Sequence, residues 1–176
     1  MHYPVWTAGQ TVTAERLIDQ AENVIATTAT LDRSSTTTLA DDTVLTTTLA
    51  ANATYLVEFS VVFSSTSTTP DVNTNWTVPS GATGRKFRRG PTSNNSTMTS
   101  SIDSRIKVDA VSLTTSGAYQ VVGTTAATQT VGVTEVGIVV TSTTSGTLAF
   151  QWAQNTSNAT ATTRGADSYL KVCRIA

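Results

Sequence analysis

The chain has 176 residues, of which 39% are hydrophobic and only 13% charged, and its formal net charge is −1. That length suits one domain, with or without an added arm. The charge excludes a nucleic-acid surface spread over the whole protein, no apolar run approaches the ~20 residues that span a bilayer, and the single cysteine, Cys173, excludes an internal disulfide framework.

Roughly a fifth of the chain is threonine, far above ordinary usage. Threonine is β-branched and favours strands, and its hydroxyl keeps an exposed strand face wet without adding charge. Taken in chain order, the N-terminal "MHYPVWTAGQ" has neither the basic nor the apolar region of a secretory signal, and none is expected. It reads as an extended arm with three apolar side chains, Tyr3, Val5 and Trp6, placed to dock on a neighbouring surface. A helix is predicted over 13–24: Thr13 is a fitting N-cap, Glu15 falls in the first turn, and Leu17, Ile18, Ala21, Val24 and Ile25 recur at helical spacing. "TTATLDRSSTTT" then reads as a weakly patterned connector.

From Thr36 onward every signal is β. "TTTLADDTVLTTTLA" alternates in short pieces around Asp41-Asp42, read as a turn pair. After the polar turn 51–54, Tyr55, Val57, Phe59, Val61 and Phe63 make one continuous apolar stripe, the mark of a core strand. The opposite face carries Leu56, Glu58 and Val62, too apolar for plain exposure and too polar for a sealed core. This mixture fits a subunit interface. "NWTVP" (75–79) and "RKFRR" (85–89) read as short strands, as do "SRIKVDAVSL" (104–113), half exposed, and "AYQVVGTT" (118–125). "TEVGIVVTS" and "GTLAFQWAQN" flank "TTSG", a hairpin signal, and "SYLKVCRIA" is the last strand. Many strands with polar turns and no intervening helix predict a β-sandwich or barrel.

Catalytic residue types are scarce. The one histidine, His2, sits beside the terminus, so neither a Ser-His-Asp nor a Cys-His arrangement is expected. Ligands for a His/Cys metal site are lacking, and no phosphate-binding glycine loop is present. Neither cofactor nor metal is expected, and the twelve acids single out no catalytic pair. The strongest local charge feature is Arg85, Lys86, Arg88 and Arg89 around Phe87, read as an electrostatic contact with an acidic partner surface or with nucleic-acid phosphates, or else as a solvated edge strand. Among the tryptophans, Trp152 continues the Leu148, Phe150 stripe and belongs in the core, whereas Trp6 and Trp76 are candidate anchors.

"WTAGQTVTAERLIDQ" resembles the segment that opens many virion proteins of tailed phages infecting actinobacteria. "RSSTTTLADDTVLTTTLAANATYLVEFSVVFSS", followed by "NWTVPSGATGR", resembles a β-domain common in those phages. The ending "GTLAFQWAQNTSNATATTRGADSYLKVCRIA" resembles the closing strands of the same proteins, and of trimeric jelly rolls of the tumour-necrosis-factor and C1q type. The resemblance covers most of the chain and implies a phage structural protein without enzymatic activity. The expected architecture is all-β: a jelly-roll-like β-sandwich over 36–176, with an arm and short helix over 1–35.

The expected function is capsid decoration. The protein is expected on the capsid surface of the virion, made in the host cytoplasm, with the major capsid protein and further copies of itself, as a homotrimer, for partners. No nucleic-acid or membrane partner is expected. Tyr3, Val5, Trp6, Leu17 and Ile18 are the expected docking residues, Arg85, Lys86, Arg88 and Arg89 the electrostatic contacts, and Leu56, Glu58 and Val62 the subunit interface. The alternative is a tail or fibre module whose loops 70–79 and 154–160 bind host-surface glycans.

Overall fold

The computed structural model describes residues 22–67, 69–92, 106–121 and 130–176. Among them the chain forms twelve strands and no helix. These are β1 (Asn23–Ala26), β2 (Leu31–Arg33), β3 (Ala40–Leu49), β4 (Thr54–Ser65), β5 (Val72–Thr77), β6 (Thr83–Pro91), β7 (Ile106–Ser112), β8 (Gly117–Tyr119), β9 (Val131–Val140), β10 (Gly146–Gln154), β11 (Thr162–Arg164) and β12 (Tyr169–Arg174). They build two antiparallel sheets, the expected β-sandwich. The larger runs β1-β12-β4-β9-β6-β7, with β11 pairing both β4 and β2, and the smaller runs β3-β10-β5-β8.

The apolar stripe of β4 forms the middle of the core. Val57, Phe59, Val61 and Phe63 are fully buried and face Leu148, Phe150 and Trp152 of β10 across the sandwich. The two strands meet through aromatic rings, Phe59 with Phe150 at 5.2 Å and Phe63 edge-on to Trp152 at 5.4 Å. Trp76 of β5 completes the stack, edge-on to Phe59 at 5.0 Å, so this candidate anchor is a core residue. Edge-to-face pairs of this kind add about 0.5–1.5 kcal/mol beyond the area they bury.

Four expectations are corrected. Val24 and Ile25, expected at the end of a helix, lie in β1, paired with β12. Ile25 packs on the core while Val24 is exposed, a period of two that overrides the helical spacing. The rest of the predicted helix lies outside the described residues. The connector "TTATLDRSSTTT" contains β2, which pairs with β11.

The "TTSG" turn does not close a hairpin. β9 belongs to the larger sheet and β10 to the smaller, so residues 141–145 carry the chain across the sandwich. Thr141 Oγ1 donates to the Ala50 and Ala53 carbonyls (2.8 and 3.0 Å), and Ser142 Oγ to the Ser80 carbonyl (2.8 Å). A turn signal marks where a strand ends and leaves open which sheet receives the next one.

Asp41 and Asp42 stand inside β3 rather than in a loop. The register between β3 and β10 breaks there, with Gln151 opposite Asp41 and Ala149 opposite Thr46. Asp42 Oδ1 accepts the Val44 and Leu45 amides at 2.9 and 3.1 Å, which makes a local Asx turn within the strand. The turn chemistry read from the sequence is there, spent on an irregularity in mid-strand.

Candidate interaction surface

β6 alternates, and this alternation divides the basic cluster between two environments. Arg85, Phe87 and Arg89 point outward, while Lys86 and Arg88 point into the sandwich and are buried. Lys86 and Arg88 are therefore not surface contacts, which corrects half of the expected electrostatic set. β6 is also no edge strand, since β7 and β9 flank it.

Both inward cations are paired. Lys86 Nζ meets Glu135 Oε2 of β9 at 3.0 Å, both side chains fully buried, as a contact ion pair rather than an aligned hydrogen bond. The other oxygen of Glu135 accepts Thr74 Oγ1 at 2.5 Å and the Tyr119 hydroxyl at 2.9 Å. Lys86 Nζ also lies 5.1 Å from the centre of the Trp76 ring. Burial pushes the Lys86 ammonium below its ordinary range, with the Glu135 charge acting against the shift. Burial, then Glu135, pushes the Tyr119 phenol far above its usual range. The second cation, Arg88, makes a bidentate bond to Asp109 of β7 (2.8 and 2.6 Å) and donates to the Ser116 carbonyl at 2.6 Å. These hydrogen bonds hold the Asp109 carboxyl below its usual range. Gly117 is glycine because a Cβ there would collide with the Arg88 guanidinium.

A separate buried network lies at the irregularity in β3. Asp42 Oδ2 accepts the Trp152 indole N–H at 3.2 Å and Arg164 Nε at 3.1 Å. Arg33 stacks over the Trp152 ring at 4.3 Å and donates to the Ala40 and Asp41 carbonyls. Buried charges persist only when partnered, and in both networks the partners are structural groups of the chain itself. Neither Lys86 nor Glu135 is open to solvent, so neither reaches a substrate. Among the described residues no three His, Cys, Asp or Glu side chains stand together as a metal site, and no helix is long and apolar enough to cross a membrane.

The outer face of the larger sheet differs in character. Leu56, Glu58 and Val62 of β4, read from the sequence as a subunit interface, all point outward onto it. Beside them lie Val136 and Ile138 of β9, Phe87 of β6, and Ile106, Val108 and Ala110 of β7. Phe87 is 61% exposed, Ile106 55% and Val108 72%. Scattered single apolar residues on a surface are ordinary, but a contiguous patch marks a contact site. A concavity of about 320 Å3, lined by Arg89, Pro91, Ile106, Val131 and Thr134, deepens one end of it.

The sequence reading missed the β7 part of this face. The alternation read as a half-exposed strand leaves open which side is exposed; Ile106, Val108 and Ala110 face outward, while Lys107 and Asp109 turn inward, Asp109 to Arg88 and Lys107 to within 5.9 Å of the Tyr119 ring. The buried arginine decides the orientation, and no property of β7 alone announces it. Of the expected docking residues, Tyr3, Val5, Trp6, Leu17 and Ile18 lie outside the described residues.

No protein-family model matches the chain, and neither does any curated protein. Among solved structures, one similar chain comes from "Structure of infectious bursal disease virus Gx strain", at 10% identity and a TM-score of 0.20. The match covers 99% of this chain and 45% of that one, so this chain spans less than half of its neighbour's length. A likeness that faint carries no weight for fold or function, and the functional reading has to come from the residues themselves.

Proposed function

We propose that the protein is a non-enzymatic structural component of a virion, and specifically a capsid decoration protein of a tailed phage. The observation that carries this reading is the broad apolar face on the larger sheet, in a chain whose buried charged groups are locked into structural networks. Such a protein works by adding buried interface across subunit junctions, which stabilises the particle by mass action and requires no chemistry. The resemblance of the N-terminal and closing segments to phage virion proteins supports the same role. The outer sheet face then joins copies of the chain, for which the resemblance implies a trimer, and the N-terminal arm with Tyr3, Val5, Trp6, Leu17 and Ile18 docks on the major capsid protein.

The test is capsid binding by a chain lacking residues 1–21. The truncation stops there because Glu22 forms an ion pair with Lys171 and β1 is part of the sheet. The truncated protein is expected to stay folded and to lose binding to undecorated heads of the phage that encodes it. Full binding without the arm contradicts the docking role.

A further inference from the structure

We infer that the outer face of the larger sheet joins two copies of this chain about a two-fold axis that runs along β9 and passes over Val136. This rests on reading that face as an interface between copies, and it replaces the implied trimer by a symmetric pair. The observation behind it is the register of three neighbouring strands. β4 and β6 flank β9, and both Glu58 and Phe87 stand opposite Val136. Arg85 and Arg89 lie on the same outward face, two residues to either side of Phe87.

A two-fold axis in the plane of the interface, along β9, carries β4 of one copy onto β6 of the other. Glu58 of each copy then stands over Phe87 of the second, between that copy's Arg85 and Arg89. Val136 and Ile138 meet their own counterparts on the axis, as an isologous contact requires. Two sheets packed face to face lie about 10 Å apart, within reach of Arg and Glu side chains.

The charges favour a second copy over an unrelated apolar partner. Among the described residues, Arg85 and Arg89 have no acidic partner within their own chain, while Lys86, Arg88, Lys107, Arg164 and Lys171 all do. Glu58 is held by the Tyr169 hydroxyl at 2.7 Å, which fixes its carboxylate on the outer face, and Lys171 beside it is engaged with Glu22. One copy thus presents an oriented acid, and two cations without an acidic partner among the described residues wait at the positions that the two-fold brings over it. Complementary charges around an apolar centre set register and suppress wrong partners.

The experiment is the solution mass of the full chain, by light scattering and sedimentation over a concentration series. The wild type is expected to be a dimer. Glu58→Arg places three cations together and is expected to weaken the dimer by at least about tenfold, as is the double variant Arg85→Glu/Arg89→Glu, whose changes lie on the exposed face. Combining all three reverses the charges on both sides and is expected to restore the dimer. In a Cys173→Ser background, Val136→Cys is expected to cross-link to itself with a short bis-maleimide, while Thr48→Cys, on the exposed side of β3, is not. A monomer at every concentration overturns both the interface and the pair. A trimer, or a dimer indifferent to the charge changes, overturns the two-fold pair and leaves the interface reading standing.

Discussion

Lys86→Met tests the claim that the middle of the basic cluster is a structural pin. The substitution keeps an unbranched apolar stem and removes the terminal ammonium that Glu135 meets at 3.0 Å in a site closed to water. Breaking one side of a buried ion pair costs about 3–5 kcal/mol, because the remaining charge stays buried and uncompensated. The lower end applies here, near 3 kcal/mol, since Glu135 keeps its hydrogen bonds from Thr74 and Tyr119. For a chain of this size that lowers the melting temperature by roughly 6–12 °C. Adding Glu135→Gln removes the stranded charge and keeps an acceptor for both hydroxyls, so the double variant is expected to regain at least half of the loss. Urea denaturation of the wild type, the two single variants and the double variant closes the cycle, with an unchanged slope showing that only stability moved. If Lys86→Met alone leaves the midpoint unchanged, the ammonium is not buried and paired as described, and the electrostatic role on the surface returns.

Phe59→Ala removes the ring shared by Trp76 and Phe150 and is expected to destabilise by about 3–5 kcal/mol, measured by the same denaturation. Gly117→Ala is expected to release Arg88 from its carbonyl partners and lower the melting temperature, whereas the same change at Gly132, where a Cβ meets nothing, is expected to leave it nearly unchanged. Asp42 gives a prediction with pH. Burial raises its carboxyl, but the Val44 and Leu45 amides together with Arg164 outweigh that and hold it below the usual 3.8. A carboxyl lowered on folding contributes stability above 3.8 that is lost as the pH falls through the folded value. The gap in unfolding free energy between wild type and Asp42→Asn is therefore largest near neutrality and narrows below pH 3.8. A gap that is constant across that range contradicts the buried network.

The strand content and the core were legible in the sequence because period-two apolar stripes need no tertiary information. The β4 stripe and Leu148, Phe150 and Trp152 of β10 were readable as facing core, and they meet ring to ring. What a strand pattern leaves open is the sheet to which a strand belongs and, for a strand with polar groups on one side, which side turns inward. The "TTSG" turn looked like a hairpin and is a crossing between sheets. β7 read as a half-exposed strand without saying which side is exposed, and Arg88, from a strand far enough away in sequence to escape local reading, draws its charged side inward. The candidate face was half visible for the same reason. Leu56, Glu58 and Val62 stood out within their own strand, whereas Phe87 was hidden among cations and Val108 lay in a strand whose exposed side was left open.

The central claim, a structural component spread over the virion head, is tested most directly by the copy number of the chain per purified particle, from quantitative mass spectrometry against the major capsid protein. The account predicts many copies in fixed proportion to that protein, with antibody labelling over the whole head. A handful of copies per particle, labelled at one pole, contradicts it and places the chain in the tail or a fibre.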